Sequence, residues 1–130
     1  MHHPVLIAII DDDASVRTAT ASLVRSLGLE AGTFASAEAF LAAPRLRETA
    51  CVITDVQMPG MSGIDLQAQL RASGSCLPMI FITAFPEERV RRQAIAAGAV
   101  GFFSKPFDGN EMIACIDGVL AARSDAAGPV

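Results

Sequence analysis

Five polar residues of this sequence stand at the ends of short apolar stretches, where they could meet and perform chemistry together. They are two successive carboxylates, a third carboxylate, a hydroxyl and an ammonium, namely Asp11, Asp12, Asp55, Thr83 and Lys105. Carboxylates that gather within a few ångströms raise one another's pKa unless a cation shares the site. Oxygen ligands of this kind suit a hard ion such as Mg²⁺, which proteins hold through one or two carboxylates, water and phosphate oxygens. The residue types therefore predict a magnesium site.

Asp55 is the candidate nucleophile of such a site. Its carboxylate can attack a phosphoryl group and form an acyl phosphate, provided that the negative charge on both reactants is offset. Mg²⁺ and the Lys105 ammonium can offset that charge, and the Thr83 hydroxyl can donate to a phosphoryl oxygen. The only histidines are His2 and His3, at a terminus that we expect to be frayed. Hydrolases of the Ser-His-Asp or Cys-His type are therefore nearly excluded.

Hydrophobic patterning places the polar residues at strand ends in an alternating chain. Apolar stretches predict five strands, at residues 5–10, 29–34, 51–54, 79–83 and 101–104, and each is followed by a segment with helical spacing of its apolar residues. This alternation predicts an α/β fold with a doubly wound, five-stranded parallel sheet and five helices. Such sheets bind ligands beyond the carboxyl ends of their strands. The predicted fold therefore brings the polar residues to one pocket.

Local signals predict several helix ends. Ser62 and Asp65 have the spacing of a capping box at the start of the third helix, and Asp108 is expected to begin the last helix in the same way. Pro86 suits the first turn of the fourth helix. The buried face of that helix is expected to extend to Ala97.

Length and charge limit the classes of protein to which the chain can belong. Its 130 residues suit a single domain over residues 1–130, with a core at about 5–122 and a tail or linker remnant at 123–130. A net charge of -4 argues against nucleic-acid binding by this domain. No apolar run approaches the roughly 18 residues that span a bilayer, so we expect a soluble, cytoplasmic protein without membrane contact.

The cysteines predict neither a disulfide framework nor a zinc site. Cys51, Cys76 and Cys115 are odd in number, widely spaced and flanked by apolar residues. We therefore expect three buried, reduced thiols. Zinc and copper are further disfavoured because no histidine or cysteine lies in the acidic motifs.

Four motifs, in order along the chain, resemble the signature of the receiver domain of two-component response regulators, of the chemotaxis-regulator type. They are Ile10-Asp11-Asp12-Asp13, Thr54-Asp55-Val56-Gln57-Met58-Pro59-Gly60-Met61-Ser62-Gly63, Ile82-Thr83-Ala84 and Ser104-Lys105-Pro106-Phe107. The resemblance covers the chain from Val5 to about Leu120. It implies a flavodoxin-like sheet with the strand order 2-1-3-4-5.

The resemblance also implies the role of each site residue. Asp55 would be the phosphoacceptor, served by a sensor histidine kinase or a phosphotransfer protein, and Thr83 and Lys105 would assist the transfer. The protein ligands of Mg²⁺ would be Asp11, Asp12, Asp55 and the backbone carbonyl of Gln57. Such a domain is not an enzyme, since it assists only its own phosphotransfer and dephosphorylation.

Receiver domains of this kind transmit phosphorylation to a surface. By resemblance, Thr83 would move toward the phosphoryl group and Phe102 would turn inward. The fourth helix, fifth strand and fifth helix, at about residues 86–120, would then change and mediate homodimers or partner docking. Many receivers with this signature precede a DNA-binding domain, so the chain is also a candidate for the N-terminal part of a transcriptional regulator.

Two other functions stay as alternatives. A phosphatase of the haloacid dehalogenase type also uses a strand-end aspartate, Mg²⁺, a hydroxyl and a lysine. It ordinarily carries a second aspartate two residues after the nucleophile, where this chain has Gln57. A pseudo-receiver would keep the fold as a binding module and lack the switch.

In a working receiver, Phe85, two residues after Thr83, is expected to shield the acyl phosphate from water and to slow its loss.

Overall fold

Strands and helices alternate throughout the computed structural model, which describes residues 4–126 and, for residues 124–126, the backbone alone. The strands are β1 (Leu6–Ile10), β2 (Glu30–Phe34), β3 (Thr49–Asp55), β4 (Met79–Thr83) and β5 (Gly101–Ser104). The α-helices are α1 (Ala14–Ser26), α2 (Ala37–Leu41), α3 (Gly63–Ala72), α4 (Glu88–Ala96) and α5 (Gly109–Ala126), and a short 3-10 helix, Leu46–Glu48, precedes β3. His2, His3 and residues 127–130 of the expected tail lie outside the described residues.

The strands form one parallel sheet in the order β2-β1-β3-β4-β5. The predicted doubly wound, flavodoxin-like topology is therefore confirmed. The chain starts in the middle of the sheet at β1, moves to β2 on one side and then crosses to β3 on the other. The strand order reverses between β1 and β3, and open α/β sheets bind ligands beyond the carboxyl ends of the strands at such a point.

The sheet is buried on both faces because successive side chains of a strand point to opposite sides. In β1, Ile7 and Ile9 belong to an apolar cluster with residues of α1 and α5, whereas Ala8 and Ile10 belong to a second cluster with residues of α2, α3 and α4. These two apolar clusters fix the position of the strands between the helices on the two faces of the sheet. The polar side chains of the candidate site lie at the carboxyl ends of these strands.

The predicted helix starts are confirmed for α3 and α5 and wrong for α4. The Ser62 hydroxyl accepts from the Asp65 amide at 3.0 Å while the Asp65 carboxylate accepts from the Ser62 amide at 3.1 Å, which is the complete capping box. The Asp108 carboxylate accepts from the amide of Asn110 at 2.7 Å. Pro86, however, lies before α4, whose N-cap is Glu87.

Helix α4 also ends earlier than its apolar spacing predicts. Ala97 is the C-cap residue and is exposed, because the helix ends there and the chain reverses at Gly98, which has a φ of 101°. Within α4, Ala94 alone is fully buried. None of the helices in the described part of the chain has the length and apolar character needed to cross a membrane.

The prediction of three buried thiols is wrong for Cys76. Cys51, in β3, is buried, and Cys115, on α5, is half-buried. Cys76 is exposed because it lies in the loop between α3 and β4, outside both apolar clusters. All three thiols are free, and burial raises the pKa of Cys51 to about 12.

Candidate functional site

The carboxyl ends of β1, β3 and β5 meet at one ammonium group. Asp11 follows β1 directly, Asp55 is the last residue of β3, and Lys105 follows β5. The Nζ atom of Lys105 lies 3.0 Å from Oδ2 of Asp11 and 3.0 Å from Oδ2 of Asp55. These residues are 50 or more positions apart from Lys105 in the chain and meet only because the parallel sheet gathers its strand ends.

Three carboxylates face a common point next to that ammonium. Asp11, Asp12 and Asp55 each offer an oxygen, and these oxygens all lie within 4.8 Å of one another. Asp11 and Asp55 are buried, and Asp12 is exposed, so the cluster opens to solvent on one side. The donor set consists of hard oxygen atoms, which is the set that Mg²⁺ prefers.

Asp11 is the most constrained of the three carboxylates. Its Oδ1 accepts from the Asp13 amide at 2.9 Å, whereas its buried Oδ2 faces Lys105 without a well-directed hydrogen bond from any described residue. Burial raises the pKa of Asp11, and the nearby charge of Asp55 acts in the same direction, against the lowering effects of the Asp13 amide and Lys105. A buried carboxylate oxygen that lacks donors fits a cation.

Lys105 remains an ammonium in this setting. Its side chain is only 14% exposed, and burial by itself would lower its pKa. The attraction of the Asp11 and Asp55 carboxylates outweighs that effect and holds the pKa of Lys105 above its ordinary value. The Lys105 amide donates to the carbonyl oxygen of Thr83 at 2.8 Å, which fixes the end of β5 beside the end of β4.

The loop after β3 contacts the Asp55 carboxylate oxygen that Lys105 does not contact. The Gln57 amide donates to Oδ1 of Asp55 at 3.2 Å, and the Gly63 amide donates to the carbonyl oxygen of Val56 at 2.9 Å. Helix α3 begins so close to β3 that a Cβ atom at Gly63 would lie 2.3 Å from the carbonyl oxygen of Asp55. The Gln57 side chain is exposed, and its backbone amide is the group that contacts Asp55.

Thr83 ends β4 and is buried, with a 1% exposed surface. Its hydroxyl oxygen accepts from the Phe85 amide at 3.1 Å, a bond that does not use the hydroxyl hydrogen. The Phe102 ring is half-buried, and its centroid lies 6.2 Å from that of Phe81. The Phe85 side chain is 69% exposed beside the site.

Two residues that the sequence did not single out also bind the loops of the site. Nη1 of Arg17, on α1, donates to the carbonyl oxygen of Asp11 at 2.6 Å. The Glu38 carboxylate, on α2, accepts from the Met61 amide at 3.1 Å, in the loop after β3. A basic residue near a helix N-terminus is unfavourable with the helix dipole, and that anomaly could have identified Arg17. Glu38 gives no comparable signal, since its partner lies 23 positions away.

Comparison with known proteins gives consistent matches over most of the chain. A family model described as the response regulator receiver domain matches residues 7–117. Response regulator protein TodT of Pseudomonas putida is 44% identical over 115 residues, which cover 88% of this chain and 51% of that protein. Transcriptional regulatory protein FixJ of Azorhizobium caulinodans is 37% identical over 117 residues, which cover 90% of this chain and 56% of that protein.

A solved structure of the response regulator StyR is also similar. Its TM-score is 0.85 at 38% identity, over 96% of this chain and 65% of that one. The present chain thus spans about half the length of the curated relatives that it matches.

Proposed function

Because this chain belongs to the response regulator receiver domain family of two-component systems, we propose that Asp55 is its phosphoacceptor in a Mg²⁺-dependent transfer. One observation carries this proposal. The Asp55 carboxylate lies within 4.8 Å of two other acidic ligands and 3.0 Å from an ammonium, at the reversal point of the strand order. A nucleophile, a cation site and a fixed positive charge are the components that phosphoryl transfer to a carboxylate needs.

The donor would be a phosphohistidine of a sensor histidine kinase or of a phosphotransfer protein. A carboxylate oxygen of Asp55 forms a bond to phosphorus while the phosphorus–nitrogen bond of the donor breaks. The histidine ring leaves with the bonding electron pair, and Asp55 becomes an acyl phosphate. The Lys105 ammonium offsets the charge that gathers on the phosphoryl oxygens.

Asp11, Asp12, Asp55 and the backbone carbonyl of Gln57 would hold Mg²⁺. When bound, the ion supplies a divalent charge that offsets both the carboxylates and the incoming phosphoryl group. The exposed side of the cluster, at Asp12, is where solvent and the donor's phosphoryl group can enter. This arrangement makes the domain assist its own phosphorylation and dephosphorylation rather than turn over a separate substrate.

Phosphorylation would act as a population shift. The phosphoryl group adds a charge of about -1.5 to -2, which favours the conformation in which the Thr83 hydroxyl donates to it and Phe102 turns inward. The surface of α4, β5 and α5 would change as a result. Ile95 on α4 and Val100 in the loop between α4 and β5 are 43% and 47% exposed, which suits this region for homodimers or partner docking.

The regulated output would lie in a second half of a longer protein. The curated relatives are about twice as long as the matched region, and one is named as a transcriptional regulatory protein. We therefore propose that this chain is a single receiver domain of a cytoplasmic transcriptional regulator. Residues 123–130, of which 123–126 still belong to α5, would lead into a linker. DNA contact would belong to the other half, since this domain has a net charge of -4.

Beryllium trifluoride, which imitates a phosphoryl group on a carboxylate, tests the proposal when it is added with Mg²⁺. We expect the amide resonances near Thr83 and Phe102 to shift in the parent chain and to stay in place in Asp55→Asn. Asp117→Asn, which removes an exposed carboxylate on α5, is the matched control and should respond as the parent does. A parent chain that binds Mg²⁺ and gives no such shift would instead be a pseudo-receiver.

A further inference from the structure

Arg17 makes a contact with the acidic cluster that differs from the contact made by Lys105. Its Nη1 donates to the backbone carbonyl oxygen of Asp11 at 2.6 Å, from a half-buried position on α1. Lys105 instead faces the carboxylate oxygens that a metal would use. Arg17 therefore binds the backbone of the turn and does not contact a carboxylate oxygen that a metal would use.

The carbonyl oxygen that Arg17 binds belongs to the peptide group that joins Asp11 to Asp12. A peptide group is planar, so fixing its oxygen also fixes the direction in which the next residue leaves. The rest of the turn is fixed by other bonds. The Asp11 amide donates to the carbonyl oxygen of Phe34 at 3.1 Å, and the Asp13 carboxylate accepts from the Ser15 amide at 2.9 Å. Arg17 supplies the hydrogen bond at the centre of the turn, to the peptide group between the two acidic residues.

The position of Arg17 is unfavourable for α1 itself. It lies four residues after the N-cap Asp13, where the helix dipole favours negative rather than positive side chains. Its guanidinium, which carries several donors and stays charged, can bind a carbonyl oxygen firmly. The contact with Asp11 accounts for an arginine at this place.

We propose that Arg17 is a positioning residue of the metal site, which orients the Asp11–Asp12 peptide so that both carboxylates face the ion. This inference rests on the proposed function, since it assumes that the cluster binds Mg²⁺. Arg17 does not touch the ion or the phosphoryl group. It acts through the backbone of the turn.

The sign of the change in Mg²⁺ affinity distinguishes positioning from simple charge. If Arg17 acted only as a nearby cation, its removal would lower the repulsion felt by Mg²⁺ and would tighten binding. If it positions the turn, its removal weakens binding, because partners that orient metal ligands typically contribute about 10-fold or more in affinity. The two explanations therefore predict opposite shifts of the dissociation constant.

The experiment is a Mg²⁺ titration followed by amide resonances, since the chain has no tryptophan or tyrosine to report binding by fluorescence. We expect Arg17→Met to raise the dissociation constant about 10-fold. Arg17→Lys, which keeps the charge and one donor group, should raise it less. Arg25→Met, which removes an exposed arginine from the same helix, is the matched control and should leave it unchanged.

Hydrogen exchange without metal gives a second measurement. The Asp13 amide, which donates to Oδ1 of Asp11, should exchange faster in Arg17→Met than in Arg25→Met.

Equal or tighter Mg²⁺ binding by Arg17→Met would overturn the inference and leave the proposed function intact. If Arg17→Met does not fold, an Arg17→Lys constant equal to that of the parent would overturn the inference. If the parent chain itself does not bind Mg²⁺, both the inference about Arg17 and the proposed function are wrong.

Discussion

Lys105 lies 3.0 Å from one oxygen of Asp11 and 3.0 Å from one oxygen of Asp55, so a single ammonium faces two buried carboxylates. Together with Asp12, the cluster carries three negative charges against one positive charge. The remaining two charges match those of a divalent cation. A phosphoryl group would then meet a site whose carboxylates are already balanced, which is the electrostatic condition for transfer between two anionic partners.

Phe85 offers a test at the scale of one side chain. Its amide is held by the Thr83 hydroxyl, while its ring is 69% exposed beside the site. We expect the ring to limit the access of water to the acyl phosphate, so Phe85→Gly should lose the phosphoryl group several-fold faster than the parent. The measurement is the rate of phosphate loss from Asp55 in Mg²⁺.

Phe85→Leu is the control for that experiment, because it keeps an apolar side chain of similar reach. It should lose phosphate at a rate close to that of the parent. If Phe85→Gly proves no faster than the parent, the ring does not shield the acyl phosphate.

Individual site residues were predictable from the sequence where their chemistry is unusual for their place. A carboxylate or an ammonium that ends an apolar strand, as at Asp55 and Lys105, is conspicuous in the sequence. Glu38 was missed because it stands on a helix surface, where charged residues are ordinary. Arg17 was missed although a basic residue in the first turn of α1 is unfavourable with the helix dipole. Their roles depend on tertiary contacts with backbone atoms of Asp11 and Met61, and a sequence gives no direct sign of such contacts.

The start of α3 is the element that lies closest to Asp55. Gly63 is needed there because a Cβ atom would lie 2.3 Å from the carbonyl oxygen of Asp55 and 3.2 Å from the Phe81 ring. Neither atom can move freely, since one is backbone in β3 and the other is in the core. The position of α3 and the position of Asp55 are therefore coupled.

Gly63→Ala should therefore destabilise the fold and disturb the site together. Overpacking of this kind lowers the free energy of unfolding by about 1–3 kcal/mol, or more where the added atom clashes with the backbone. We expect a lower free energy of unfolding in urea and weaker Mg²⁺ binding in the amide titration. Gly118→Ala is the control, because a Cβ atom there meets nothing within 4 Å and alanine stabilises a helix interior by about 1 kcal/mol relative to glycine. A Gly63→Ala chain as stable as the parent would contradict the coupling.

Elements were predictable where local signals agree with packing. The capping box of Ser62 and Asp65 lies where its spacing indicates, because it satisfies backbone groups without outside help. Helix α4 was misplaced because its N-cap, Glu87, makes no side-chain capping bond and Pro86 alone supplied the start signal. Its exposed end at Ala97 reflects the turn at Gly98, which periodicity cannot detect.

Across the whole molecule, the doubly wound sheet explains why distant residues form one site. The alternation of apolar strands and helices predicted the doubly wound parallel sheet, and the resemblance to receiver domains implied its strand order. The same topology places α4, β5 and α5 next to the ends of β4 and β5, where Thr83 and Lys105 lie. Under the proposed function, a charge added at Asp55 would therefore act on a surface that lies outside the site.

Chemical trapping of the phosphoryl group tests the central claim most directly. The chain is treated with acetyl phosphate and Mg²⁺ and then with borohydride, which reduces an acyl phosphate of aspartate to homoserine, and its peptides are mapped by mass. We predict homoserine at position 55 alone, and none when a chelator removes Mg²⁺. A parent chain that shows no reduction product, or shows it at another carboxylate, would contradict the assignment of Asp55 as the phosphoacceptor.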